Sequence, residues 1–346
     1  MAIQRPDAPA ADPRYQFPMK MTPMPMPPTR CFRPSARLAA LFAAVLAAPM
    51  LCLAQDTPVA EPKEYPEPKF SEVVYKKAGG GDLKFHMFEP VMDFPGEDDD
   101  RGKRGAVIFF HGGSWNGGGA DRFYNQCKYL ARRGALAISA DYRLAAADQK
   151  PTPDDVINAV KDARSAVRYL RKNAKYFGID PNKIAVGGSS AGGHAALATL
   201  FAGGTDEKGD DLSVSPKPNA IALLCPVFAF DFPILQETFG AEGVAALKPV
   251  SPEEILKGAA VEKRPPMIWF HGGADASVPY DRAEKFIAAY RKSGGTVSFV
   301  GLPDLGHEFY HFGVPLETTT LYIGDFLASR KIGCPAPEGL APPDFD

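Results

Sequence analysis

One stretch, KIAVGGSSAGGHAA (183–196), limits the folds open to this chain more than any other. An apolar run enters Gly188-Ser189-Ser190-Ala191-Gly192 and leaves through alanines that favour a helix. G-x-S-x-G in this setting predicts a strand, a tight turn and a helix. A serine carried on such a turn projects its Oγ beyond the sheet edge. Gly188 and Gly192 remove the Cβ atoms that would collide there. The helix N-terminus behind the turn favours negative charge that develops beside it. Ser190, at the centre of the pentapeptide, is the candidate nucleophile. Ser189 in that role would put Ala191 where the closing glycine belongs.

The rest of the chain fits a strand–turn–helix at its centre. Apolar runs at 71–77, 83–88, 105–110, 135–140, 183–187, 219–225, 266–270 and 297–302 alternate with amphipathic segments. That alternation predicts an α/β fold with a mostly parallel eight-stranded sheet and helices on both faces. The clearest helix covers 153–177, where Val156, Val160, Ala163, Val167, Leu170 and Ala174 recur at i+3 or i+4. Thr152 is its N-cap, Pro153 its first residue, and Gly178 its end. Residues 228–265 are too long for a plain connection and predict a small helical insertion over the sheet. Two polar stretches read as loops, Asp93 to Arg104 and Gly203 to Pro218. In the second, Asp206, Glu207, Asp210 and Asp211 lack the spacing of a calcium loop and predict a solvated turn. The Pro-rich tail, 334–346, has no pattern of its own.

Composition matters most at the N-terminus. Six of the 9 Met fall in the first 54 residues, with Arg30, Arg33 and Arg37 ahead of an apolar run from Leu38. This order, closing on Cys52-Leu53-Ala54, predicts a signal peptide over 1–54 cleaved before Gln55, with translation from Met1, Met24 or Met26. The apolar run is broken by Pro49 and is shorter than the roughly 20 residues a bilayer needs, so no stable membrane anchor is expected. Residues 55–70 read as a linker. The expected mature chain carries 33 basic and 39 acidic side chains, against 39 and 41 in the whole sequence. Nothing in that balance suggests a nucleic-acid partner. The expected location is periplasmic or secreted. Cys127, Cys225 and Cys334 remain, an odd number that permits at most one disulfide. The first and second read as small buried residues.

A nucleophilic serine needs a base, and donors for the oxyanion it creates. AVIFFHGGSW (106–115) ends a strand at His111-Gly112-Gly113. Gly112 and Gly113 are the candidate oxyanion donors from this loop, and Ala191, next after the nucleophile, is another. Trp115 is expected beside the site as a substrate-binding or core residue. A second echo, His271-Gly272-Gly273-Ala274-Asp275, follows a later strand and supplies the candidate acid, Asp275. His307, after the last strand, is the candidate base. The order Ser190, Asp275, His307 is that of a strand-borne serine triad. His307-Glu308-Phe309-Tyr310-His311 also fits H-E-x-x-H, a zinc signature that needs one continuous helix. Gly306, Gly313 and Pro315 crowd that segment, and no metal is expected.

Together, HGGSW, GSSAGG, HGGADASVP and GHEF resemble the α/β-hydrolase fold over residues 70 to 330. Within it the chain resembles bacterial carboxylesterases of the acetyl-xylan and feruloyl esterase-like type, related to the hormone-sensitive-lipase branch. The resemblance implies one catalytic domain over 71–333. It implies hydrolysis of short-chain or carbohydrate-linked acyl esters through an acyl-enzyme, without a cofactor. Small-molecule or polysaccharide-linked esters are then the partners. Arylformamidases and peptidases of the same fold share HGGxW, and a non-catalytic hydrolase-like binding protein is a further alternative. By the resemblance Asp141-Tyr142-Arg143-Leu144 is a structural brace. The chain departs from the lipase branch at Ser114 (a third glycine there), at Ser189 (often Asp), and after Arg143, where Pro-Glu is missing.

Overall fold

Eight strands form one sheet in the order β1-β2-β4-β3-β5-β6-β7-β8. The strands are β1 (Phe70–Ala78), β2 (Gly81–Phe88), β3 (Arg104–Phe110), β4 (Leu136–Ala140), β5 (Ile179–Ser189), β6 (Ala220–Leu224), β7 (Met267–Gly272) and β8 (Val297–Leu302). The computed structural model describes residues 66–91, 104–146, 148–258 and 264–336. The expected signal peptide, most of the linker and the end of the tail lie outside the described residues. So does most of the Asp93–Arg104 loop. β1 pairs antiparallel with β2, and β2 with β4; every other pairing is parallel. All eight expected strands are present, with ends shifted by a few residues.

The parallel strands read as continuous apolar runs because both sheet faces are covered. Along β3, Ala106, Ile108 and Phe110 enter one core while Val107 and Phe109 enter the other. β7 divides the same way, Met267 and Trp269 against Ile268 and Phe270. This is the two-residue period of a strand. On the first face pack α2 (Pro153–Lys172), α3 (Ser190–Phe201) and α6 (Tyr280–Lys292). On the second pack α1 (Tyr124–Arg132) and α7 (Gly313–Ala328).

α2 begins as the sequence requires. The Thr152 side chain and Asp155 form a reciprocal capping box, with Pro153 in the first turn. Its end differs. The helix stops at Lys172, and residues 173–178 make turns instead of a further helical turn. The Asn173 backbone N–H still completes the helical bond to the Tyr169 carbonyl at 3.1 Å, its side-chain amide joins there at 2.8 Å, and the next N–H, of Ala174, turns to the Arg171 carbonyl three residues back. Gly178, at φ +63°, closes that turn, not the helix. The insertion is helical as expected: α4 (Pro233–Ala246) and α5 (Pro252–Lys257). Gly240 kinks α4 at φ +66°.

The acidic loop is not a solvated turn. Glu207 pairs with Lys76 at 2.8 Å and with Arg143 at 2.5 Å. Asp206 lies 2.7 Å from both Arg164 and Arg168, and Asp210 is 3.0 Å from Arg168. At the centre Asp162, fully buried, holds Lys76 at 2.5 Å and Arg143 at 2.7 Å. The loop therefore anchors α2 to β1 and to the segment after β4. Burial pushes the Glu207 carboxyl up, but its two cations outweigh that and hold it at about 2. Asp141-Tyr142-Arg143 is the expected brace. Tyr142 donates to the His111 carbonyl at 2.7 Å, and Asp141 accepts from the Lys84 N–H.

Candidate active site

The parallel register brings the carboxyl ends of β3, β5, β6, β7 and β8 to one edge. Phe110 pairs with Gly188, Ser189 with Leu224, and Gly272 with Leu302. In open α/β sheets this edge is where ligands bind. The chain passes from β5 into α3 with no loop, and Ser190 takes φ +50°. A side chain at that φ is uncommon and marks a strained turn. The turn is wedged against β3: a Cβ on Gly188 would lie 2.6 Å from the Phe110 carbonyl oxygen, and one on Gly192 2.1 Å. Only glycine permits this approach.

The three residues picked out by their order in the chain meet here. The Ser190 hydroxyl lies 2.8 Å from His307 Nε2, and His307 Nδ1 lies 2.8 Å from Asp275 Oδ2. The Asp275 side chain is fully buried. Its other oxygen, Oδ1, accepts the Ser277 and Val278 N–H groups, each at 2.8 Å. Burial raises the Asp275 carboxyl, but the His307 bond and charge and the Val278 N–H bring it below its ordinary value. The acid is thus ionised and fixed, with one oxygen committed to His307.

The expected donors of the turn after β3 differ in one respect: one N–H is already bonded. The Gly112 N–H donates to Ser189 Oγ at 3.1 Å and is engaged. Gly113 follows at φ +129°, where a Cβ would lie 2.2 Å from the Gly117 carbonyl oxygen. Ser114 and Trp115 continue at φ +52° and +61°. The Gly113 carbonyl accepts from Asn116 and Gly117, closing the turn. The N–H groups of Gly113 and Ser114 have no acceptor among the described residues. Ala191 sits in the first turn of α3, where an N–H has no intrahelical acceptor. Ser114 was visible in the sequence only as a missing glycine.

A cavity of about 410 Å³ opens over Ser190 and His307. Trp115, Val227, Leu235 and Val278 give it an apolar wall, and Arg122, Lys150 and Glu308 a charged one. Trp115 is almost wholly buried, packed against His194, Phe230 and Phe239, and still lines the cavity. Ile234, Leu235 and Thr238 belong to α4, so the insertion shapes the binding space. Tyr310 is also in the lining, and burial pushes its hydroxyl pKa up.

The zinc signature does not form a zinc site. Residues 307–311 make a turn and one short 3-10 turn, Phe309–His311, and His307 is bound to Ser190 and Asp275. His311 faces Arg122 at 3.4 Å. Among the described residues one group, Cys225, His271 and Asp275, brings three metal-ligating atoms within 4.8 Å of one another. Two of its members are already engaged: His271 Nε2 bonds to the Val278 carbonyl, and Asp275 holds His307 and two backbone N–H groups. Cys127, Cys225 and Cys334 are all buried free thiols.

Comparison with known proteins agrees with this geometry. A family described as alpha/beta hydrolase fold matches residues 107–311. Esterase LipC of Mycobacterium tuberculosis is 30% identical over 223 residues, covering 59% of this chain and 52% of its own length. Isoprenylcysteine alpha-carbonyl methylesterase ICME of Arabidopsis thaliana is 28% identical over 253 residues, covering 67% and 56%. The chain thus spans about half the length of the curated relatives it matches. Among solved structures, Thermogutta terrifontis esterase 2 phosphoramylated by tabun superposes with a TM-score of 0.67 at 33% identity. The match covers 80% of this chain and 99% of that one. The same esterase bound to butyrate gives 0.66 at 32%, with the same coverage.

Proposed function

Because the chain belongs to the alpha/beta-hydrolase fold family, we propose that it is a serine carboxylic-ester hydrolase working through an acyl-enzyme. One observation carries this reading: the unbroken relay of 2.8 Å contacts from Ser190 through His307 to buried Asp275. His307 Nε2 takes the proton of Ser190 Oγ as that oxygen attacks the ester carbonyl carbon. The carbonyl oxygen gains the negative charge and turns toward the N–H groups of Gly113, Ser114 and Ala191. Collapse expels the alcohol, which leaves with the proton from His307. A water then repeats the sequence on the acyl-enzyme, releasing the acid and restoring Ser190. Asp275 stays ionised throughout, fixing the His307 tautomer and supporting its charged form. No cofactor enters any step.

The substrate is a short acyl ester with a polar alcohol part, including carbohydrate-linked esters. The apolar wall of Trp115, Val227, Leu235 and Val278 suits a short acyl chain. Thermogutta terrifontis esterase 2 has been solved with propionate and with butyrate. The charged wall suits a polar alcohol. The leader, with its Arg cluster and apolar run, supports export to the periplasm or medium. No helix of the described residues is long and apolar enough to cross a membrane.

A substrate panel tests the reading on wild type and Ser190→Ala. It comprises nitrophenyl esters from acetate to decanoate, acetylated xylan, a feruloyl ester and N-formylkynurenine. The expected result is Ser190-dependent hydrolysis of acetate and butyrate that falls with longer chains. Cleavage of N-formylkynurenine with no turnover of any ester would sink it and favour an amidase of the same fold.

A further inference from the structure

We propose that Arg122 and Lys150 form a carboxylate site over the alcohol end of the cavity. The preferred substrates are then short acyl esters whose alcohol part is itself an acid, as in an acidic sugar. This rests on the esterase reading above and narrows it. Both side chains line the cavity that holds Ser190 and His307, and both are exposed to solvent there. Among the described residues Glu308 is the one carboxylate in that lining. Neither cation forms an ion pair with it, with Asp121 or with any other described carboxylate. The apolar wall of Trp115, Val227, Leu235 and Val278 takes the acyl chain, so the charged wall meets the alcohol.

Arg122 contrasts with other arginines of the fold. Arg133, Arg143, Arg164, Arg168 and Arg282 each hold a carboxylate. Arg122 Nη1 instead faces His311 Nε2 at 3.4 Å. A guanidinium only donates, so Nε2 is the lone pair of that ring. Burial, and then the Arg122 charge, lower the His311 pKa, which keeps the ring neutral near neutral pH. His311 therefore steadies Arg122 without cancelling its charge. This gives a task to the second histidine of the H-E-x-x-H segment, which the triad does not use. Lys150 is placed by backbone. The Ala145 N–H donates to the Trp115 carbonyl at 2.8 Å, and the Asn116 side-chain amide donates to the Gln149 carbonyl at 3.1 Å. These bonds tie the backbone just before Lys150 to the turn that carries Gly113 and Ser114. The expected mature chain is acidic overall, with 33 basic and 39 acidic side chains. Two cations set against one carboxylate at this mouth are thus a local arrangement. A guanidinium fork matches a carboxylate in shape as well as in charge.

The test gives the full-length protein two esters of nearly equal size. In meta-butyryloxybenzoate the leaving phenol carries a carboxylate, and in meta-butyryloxybenzamide it carries a neutral amide. The quantity read is the ratio of their kcat/KM values at low salt, which cancels any general loss of activity in a variant. A charge-assisted contact should make the wild-type ratio about tenfold, expressed in KM more than in kcat. It should fall to about threefold in Arg122→Gln and to about unity when Lys150→Gln is added. Because both cations are exposed, added salt should lower the wild-type ratio as well. His311→Glu sets a carboxylate against Arg122 and should reduce the ratio. His311→Gln, which keeps a neutral acceptor, should preserve it. A wild-type ratio that does not exceed unity, or one that the Arg122 and Lys150 variants leave unchanged, overturns the proposal. So does a preference seen only for nitrophenyl hemisuccinate over nitrophenyl butyrate, which would put the acid on the acyl part. Ser190-dependent cleavage of the neutral amide-bearing ester tests the esterase reading by itself. Where that cleavage is present, the ratio alone decides between a carboxylate site and a merely polar wall.

Discussion

Ser189 and Ser190 are neighbours in the chain and give their hydroxyls to different tasks. Ser190 Oγ lies 2.8 Å from His307 Nε2, while Ser189 Oγ accepts the Gly112 N–H at 3.1 Å. The strand ends at the first hydroxyl and the helix begins at the second. One therefore binds the elbow to the loop after β3, and the other faces substrate.

This division sets the first expectation. Ser190→Ala should remove ester hydrolysis down to the residue of about 10³–10⁴ over water left by oxyanion donors and binding. Ser189→Ala should keep most of it, because Gly113, Ser114 and Ala191 are untouched. Steady-state rates on nitrophenyl butyrate decide the matter. A dead Ser189→Ala beside an active Ser190→Ala would reverse the assignment.

Asp275→Asn keeps the size of the acid but offers an amide where His307 Nδ1–H needs an acceptor. The imidazole is then free to turn or to hold the wrong tautomer. We expect kcat to fall by about 10⁴ with little change in unfolding temperature. A fall of less than tenfold would mean that another carboxylate, such as Glu308 or Asp304, supports His307.

The fold should weaken in mild acid for a reason centred on His194. Burial, opposed in part by its bond to the Val250 carbonyl, lowers its pKa from 6.5 to about 4. Between those values the unfolded chain binds a proton that the folded one refuses. The contribution is therefore complete above pH 6.5 and is lost as pH falls toward 4. Buried His271 and His111 shift the same way, through burial, and add to the slope. Glu207 acts in a lower window, from 4.5 to about 2. Urea midpoints measured from pH 7 to 4 should decline, and less steeply in His194→Gln. Equal slopes would remove His194 from the account.

The ion network gives a stability test away from the site. Asp162→Ala takes the buried carboxylate from Lys76 and Arg143 and leaves Lys76, itself only 9% exposed, with Glu207 as its remaining carboxylate partner. Breaking a buried pair from one side costs about 3–5 kcal/mol. Asp211→Ala, which removes a solvent-exposed partner of Lys172, should change little. Denaturant unfolding that ranks the two variants the other way would contradict the network's role.

Much of this architecture is legible from local pattern. The eight strands stand out because parallel strands covered on both faces are apolar throughout. The triad stands out because a strand-borne serine, acid and histidine occur in one order. What escapes is whatever depends on partners far apart in the chain. Lys76 and Glu207 are 131 residues apart, so an acidic stretch that looks solvated is in fact paired. Gly112 and Ser189 are 77 apart, and only their meeting reveals that one expected donor is already occupied. The end of α2 is a switch of the Ala174 N–H to an acceptor three residues back, which helical periodicity does not register. Cys225 looks like any small buried residue until its positive φ is known.

The sheet order has a consequence for how the protein becomes active during synthesis. β8 lies at the sheet edge, pairs only with β7, and leads into the loop that carries His307. That base stands 117 residues after the serine it serves. Chains are made from the N-terminus, and early segments can organise first. A growing chain that has reached residue 300 already holds its nucleophile and its acid but not its base, and so cannot yet turn over an ester. Competence arrives with the final strand.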